Sequence, residues 1–231
     1  MTVSARAIAV LRFHGTLCER DCLAAVQQLP DVNAYYVSAE ADAFPKQTQA
    51  IIVPGGFSYG DYIRPGAMAR TAPITRALKR QAEAGTPIIG ICNGFQILCE
   101  VGLLPGVLLK NRDGRFICRD VRLGVVSRRS PFLRKTESAP LRIPVAHKYG
   151  QYFVHPETYA SLQANDQIAL QYVNERGAAD DASNPNGSIG NIAGVTNGAG
   201  NVLGLMPHPE RRSMPWDRGQ DGKRFWESLL V

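Results

Sequence analysis

The chain has 231 residues, 45% apolar and 20% charged, enough to bury a sizeable core and too apolar for wholesale disorder. Its 26 basic and 20 acidic residues leave a net charge of +6, which first points to an anionic partner such as nucleic acid, a membrane surface or an acidic protein. The apolar run at 7–11 is cut off at once by Arg12 and His14, too short for a signal-peptide core or a membrane span, and the cysteines at 18, 22, 92, 99 and 118 are not spaced as a disulfide framework. A cytoplasmic protein with one domain over residues 1–231 is the expectation.

Through the first hundred residues, apolar runs alternate with helical patterns. Residues 7–13 read as a buried strand and 19–29 as a helix stopped by Pro30. Strands are predicted at 33–37 and 49–53, the second ended by Pro54-Gly55-Gly56. A helix is predicted at 73–84, with proline in its first turn and Gly85 beyond its end. A strand at 87–91 runs straight into a helix at 93–101. This alternation predicts an α/β fold, an open and mostly parallel sheet flanked by helices. From about 106 to 175 the pattern changes. Sheet segments at 115–126, 141–145, 151–154 and 167–173 predict an added antiparallel portion, and 180–190 reads as a loop. Residues 189–196 and 202–206 read as late strands, paired through Asn197-Gly198, and 222–230 as a closing helix.

The most informative stretch is Gly90-Ile91-Cys92-Asn93-Gly94, between a buried strand and a helix. Gly-x-Cys-x-Gly parallels the Gly-x-Ser-x-Gly elbow, in which small flanking residues permit a strained turn. Such a turn sets the sulfur at a helix N-terminus, where free N–H groups and the dipole favour a thiolate. Cys92 is therefore the candidate nucleophile, and Asn93 N–H a candidate donor to an oxyanion beside it. The other four cysteines read as structural.

A cysteine nucleophile needs a histidine, and two of the four stand in His-Pro-Glu: His155-Pro156-Glu157 and His208-Pro209-Glu210. A residue before proline is pushed to an extended conformation, and residues two apart in an extended chain face the same way. Either pair can set an imidazole beside a carboxylate that orients it. His208 and Glu210 follow a buried strand, at the sheet edge where α/β sites form, whereas His155 opens a helix, so the second pair is preferred. After the third strand, Pro54-Gly55-Gly56-Phe57-Ser58-Tyr59-Gly60-Asp61-Tyr62 permits close backbone approach to a ligand, with Gly56 N–H as the second oxyanion donor.

These three motifs, in this order, resemble those of class I glutamine amidotransferases. Gly55–Tyr62, Gly94-Phe95-Gln96, Asn111-Arg112 with Phe116 and Cys118-Arg119, and Met206–Arg211 are similar to the glutaminase-subunit family of phosphoribosylformylglycinamidine synthases. The resemblance spans roughly residues 8–229. It implies a Cys92–His208–Glu210 triad, backbone donors at Gly56 and Asn93, and contact between Gln96 and the substrate glutamine. It implies ammonia supplied to a separate ATP-dependent synthetase subunit, with a small bridging subunit between them. No metal or cofactor is implied in this chain; ATP and Mg²⁺ belong to the partner. Two segments depart from the family's usual pattern. Phe13-His14-Gly15-Thr16-Leu17-Cys18 replaces Phe-Pro-Gly-Ser-Asn-Cys, and His147-Lys148-Tyr149-Gly150 replaces His-Gly-Glu-Gly.

Two other readings compete. One is another cysteine hydrolase on the same scaffold, a peptidase or γ-glutamyl hydrolase. The second is a nucleic-acid-binding or regulatory protein, against which stands the lack of any helix-turn-helix, zinc-finger or RNA-recognition signature. The charge itself is concentrated. Residues 110–148 hold eleven basic and three acidic side chains, so the rest of the chain is slightly acidic. That segment, Arg128 and Arg129 included, is a candidate docking face for a protein partner.

Overall fold

A computed structural model describes residues 6–136 and 139–230. Among these, nine strands form one sheet. Its first half is parallel. β1 (Arg6–Arg12) lies between β2 (Val32–Ser38) and β3 (Thr48–Val53), followed by β4 (Ile88–Ile91) and β11 (Val202–Leu205). Its second half is antiparallel, through β10 (Ile192–Thr196), β9 (Ile168–Val173), β6 (Ile117–Val125) and β7 (Leu141–His147). The predicted antiparallel portion thus extends the same sheet. A separate ribbon pairs β5 (Val107–Leu109), which the sequence pattern does not reveal, with β8 (Gln151–Phe153). Three residues with two half-exposed valine and leucine side chains carry too little alternation to read as a strand.

The helices follow their apolar spacing. α1 (Glu19–Gln27) buries Cys22, Ala25 and Val26, carries Glu19 and Asp21 in its first turn, where carboxylates complement the dipole, and packs on β1 and β2. α2 (Ile74–Glu83) begins after Pro73 and buries Ile74, Ala77, Leu78 and Ala82. α3 (Asn93–Glu100) packs on β4 and β11. α4 (Pro156–Ala164) starts with proline in its first turn, as His155-Pro156-Glu157 predicts, and α5 (Lys223–Glu227) closes the chain against α1. Every residue of β4 and β11 is buried. Each fully buried isoleucine, leucine or valine there contributes roughly 1.5–3 kcal/mol, so this pair of strands is a rigid platform.

The concentrated basic charge is less available than its sequence suggests. Arg112 pairs with Asp181, Arg122 with Glu175, and Arg142 with Asp120. Arg129 donates to the carbonyls of Asn165 (2.5 Å) and Gly198 (2.6 Å), and Arg128 to that of Thr136 (3.3 Å). Arg128 and Arg129 thus bind loops of their own chain while staying exposed on its surface. A guanidinium fork reaches backbone carbonyls that spacing along the sequence cannot anticipate.

Candidate active site

β4 and β11 lie side by side and parallel, with Leu205 opposite Ile91. Their C-terminal ends therefore release the chain at one place: Cys92 immediately, His208 three residues beyond Leu205. Cys92 N–H donates to Leu205 O at 2.8 Å, tying the two exits together. Cys92 has φ 51° and ψ −105°, a strained conformation for a side-chain-bearing residue, at a cost of roughly 1–3 kcal/mol. The surrounding packing holds it there. A Cβ on Gly94 would stand 1.8 Å from Val53 O, and one on Gly90 2.7 Å from Gly94 O. Both positions need glycine for close approach, as the elbow motif predicts.

His208 and Glu210 are buried, and His208 Nδ1 lies 2.6 Å from Glu210 Oε1. The pair forms differently from the expectation. Pro209–Arg212 is a 3₁₀ turn, so Glu210 is brought to the imidazole by the turn rather than by a continuing extended chain. The proline that keeps His208 extended is itself suited to open a helical turn. Burial works against a charged His208, but the Glu210 carboxylate and the neighbouring Cys92 outweigh it and raise its pKa well above the usual range. Nδ1 facing the carboxylate leaves Nε2 buried and without a well-formed hydrogen bond among the described residues, with the Cys18 and Cys92 thiols as its neighbours. The competing His155 is exposed, edge-on to Phe153, and outside this grouping.

Cys92 and His208 open into a cavity of about 370 Å³. Its lining includes Gly56, Phe57 and Asp61 from the loop after β3, Gln96 from α3, and Ala146, His147, Lys148 and Tyr149 at the end of β7. Gly56 has φ 148°. Its neighbours make the ladder bonds Leu17 N–H to Gly55 O (3.1 Å) and Phe57 N–H to Gly15 O (2.9 Å), so that bridge does not consume the Gly56 N–H. Asn93 is the first residue of α3, where a backbone N–H has no helical partner. The Asn93 side chain serves to link segments. Its Oδ1 accepts from Ser58 N–H (3.0 Å), and its Nδ2 donates to Gln96 Oε1 (2.9 Å). Gln96 Nε2 in turn donates to Tyr149 O (2.6 Å). Gln96 lines the cavity, and its amide ties α3 to the 147–150 segment.

Four cavity residues carry roles that sequence reasoning missed. Cys18, read as structural, has its Sγ 3.3 Å from an Arg211 guanidinium nitrogen; its thiol, a His208 ring nitrogen and a Glu210 oxygen lie within 4.8 Å of one another. This is the one donor grouping of metal-site type among the described residues; the His208–Glu210 hydrogen bond and the Arg211 contact already engage its atoms. Arg211 itself also approaches Asp21. His147 is buried. Asn111 Oδ1 accepts from its Nδ1 (3.1 Å) and from Gly150 N–H (3.1 Å), while Asn111 Nδ2 donates to the carbonyls of Arg115 and His147. That orientation of the amide makes Nε2 the bare nitrogen. Burial first, and then charged His208, push the His147 pKa down to about 3, so it is a neutral imidazole. Asp61 is the fourth. The sequence signal for these was their place in the departing segments, the glycine loop and, for Arg211, the Met206–Arg211 motif; Leu17, Cys18, Lys148 and Tyr149 of the departing segments all line this one cavity.

Residues 5–228 match the model of the CobB/CobQ-like glutamine amidotransferase domain. A relative in Salinibacter ruber, phosphoribosylformylglycinamidine synthase subunit PurQ, is 46% identical over 99% of this chain and 97% of its own length. The chain belongs to the PurQ family of glutamine amidotransferases. A PurQ subunit of Wolinella succinogenes is 48% identical over 96% of this chain and 98% of its own. A solved structure of PurLQS from Thermotoga maritima contains a chain that superposes with TM-score 0.84 at 40% identity, covering 98% of both. A putative GMP synthase subunit of Thermoplasma acidophilum shares the fold alone, with TM-score 0.57 and 14% identity over 98% of this chain and 92% of its own. Membership of the PurQ family accounts for the order of the motifs and for the α/β architecture. Among the described residues no helix is long and apolar enough to cross a membrane.

Proposed function

We propose that this chain is the glutaminase subunit of a phosphoribosylformylglycinamidine synthase, acting in the cytoplasm as one domain in de novo purine biosynthesis. The observation that carries the reading is the strained Cys92 elbow sharing a cavity with the buried His208–Glu210 pair, in a chain of PurQ-family sequence. Cys92 thiolate attacks the side-chain amide carbon of glutamine, and the resulting oxyanion accepts from the N–H groups of Gly56 and Asn93, each donor supplying about 3 kcal/mol. Protonated His208 gives its proton to the departing nitrogen, so ammonia leaves and a γ-glutamyl thioester remains. His208 then takes a proton from water, hydroxide adds to the thioester, and glutamate leaves as the Cys92 thiolate returns. Glu210 holds the imidazole orientation and offsets its charge. These steps ask for no metal or cofactor in this chain; ATP and Mg²⁺ serve the synthetase.

The partner is an ATP-dependent synthetase subunit seated over the cavity mouth, with a small bridging subunit completing the complex. Support comes from the exposed apolar side chains of Leu17, Phe57 and Phe116, which line the cavity. Exposed apolar clusters of this kind mark interaction sites, and ammonia released under a cover escapes protonation by bulk water. Tyr62 and Ile63, next in sequence to the cavity-lining Asp61, are each 74% exposed.

Cys92→Ala in the assembled complex tests the reading. Glutamine-dependent synthesis should fall about 10⁴-fold or more while synthesis from added ammonia survives. Retained glutaminase activity overturns the nucleophile. Cleavage of γ-glutamyl peptides in preference to glutamine points to the hydrolase alternative, and steeply salt-dependent binding to RNA or DNA to the nucleic-acid one.

A further inference from the structure

We propose that Asp61 is the specificity-determining residue that pairs with the α-ammonium group of the substrate. This rests on the glutaminase reading above and deepens it: the triad acts on the side-chain amide, and nothing in it distinguishes a free amino acid from any other primary amide.

Asp61 is the one acidic side chain among the described residues that line the cavity. Among the described residues its buried Oδ1 accepts no hydrogen bond, and no lysine, arginine or histidine stands within ion-pairing distance of it. A carboxylate withdrawn from water needs a cation or donors to repay its lost hydration. Burial alone pushes its pKa up to about 6, with no charged neighbour contributing.

The backbone presents this group at a cost. Tyr59 (φ 53°), Gly60 (φ 65°), Asp61 (φ 55°) and Ile63 (φ 69°) all occupy the left-handed region, and three of the four bear side chains. Strain of this kind persists where the surroundings over-determine it. Here Tyr59 N–H donates to His14 O (2.6 Å), Ser58 N–H to Asn93 Oδ1 (3.0 Å), and Arg64 forms a two-pronged pair with Glu100 at the end of α3 (2.6 and 2.7 Å). The loop that carries Asp61 is thereby tied to Asn93, beside Cys92, and to the far end of α3. An α-ammonium offers three donors and a positive charge, which suit an unpaired carboxylate oxygen in a half-enclosed site. Lys148, which also lines the cavity from the end of β7, offers a cation for the α-carboxylate.

The experiment compares glutamine with glutaramate, which is glutamine without its α-amine, using the chain assembled with its synthetase partner. Wild type should favour glutamine by about 10- to 100-fold in kcat/KM, and its KM for glutamine alone should rise as pH falls below about 6, where Asp61 takes a proton. The cavity's other titratable side chains, Cys18, Cys92, His147, Lys148, Tyr149, His208 and Arg211, act on both substrates and cancel in the ratio. Asp61→Asn should raise KM for glutamine about 10- to 100-fold, hold kcat within a few-fold, and leave glutaramate unchanged. Equal use of both substrates by wild type overturns the assignment without needing a variant. So does an Asp61→Asn protein that keeps its glutamine KM and only assembles less well, which would give Asp61 to the partner interface. A wild-type complex that hydrolyses neither amide removes the glutaminase reading itself.

Discussion

Two parts of the one sheet differ in how they are covered. β4 and β11 are buried along their whole length, whereas β6 and β7 mix buried and open positions and carry Arg119, Arg122 and Arg142 of the basic segment. Where both faces are covered, backbone meets backbone at distances that only glycine allows, and Cys92 and His208 are placed to within the tolerance of a packed core. Where one face is open, side chains settle their charges locally and the strand tolerates change. The cavity joins the two: chemistry from the ends of the parallel strands, and a wall of Ala146, His147, Lys148 and Tyr149 from the antiparallel edge.

This contrast can be tested from the buried side outwards. Glu210→Gln should lower kcat roughly 10³-fold, because an amide can stabilise the wrong tautomer of His208; single-turnover hydrolysis of glutamine measures it, and a loss under tenfold would mean the carboxylate is only structural. Gly94→Ala forces a methyl group against Val53 O and should destabilise the fold by roughly 3 kcal/mol or more, read from chemical denaturation. Arg129→Ala, on the open side, removes two bonds to carbonyls and should cost about 1 kcal/mol. Unchanged stability together with weakened assembly would give the basic segment a docking role. Gly124→Ala in β6 meets only a Val173 methyl at 3.0 Å, and its effect should stay within about 0.5 kcal/mol; a cost comparable with that of Gly94→Ala would erase the distinction.

Much was legible in the sequence because the decisive signals were local. Continuous apolar runs marked β1, β3, β4 and β11, and Gly90 and Gly94 marked a turn that no larger residue fits. The choice between the two His-Pro-Glu motifs was also local: one opens α4, the other follows a buried strand. The short β5 escaped because three residues hold no period, and the 3₁₀ turn at Pro209–Arg212 because proline suits both an extended neighbour and a helical start.

By itself, then, the sequence determined the α/β class, the elbow at Cys92 and the pairing of His208 with Glu210, since each depends on neighbours along the chain. Only the tertiary structure decided that β11 lies against β4, that Cys18 and His147 face the same cavity, and that Asp61 Oδ1 finds no partner there among the described residues. It also decided that Arg128 and Arg129 bind their own loops. Those facts are mostly contacts between segments far apart in sequence, 35 residues for Ser58 and Asn93 and 193 for Cys18 and Arg211, and their energy resides in burial and hydrogen bonding that no local pattern records.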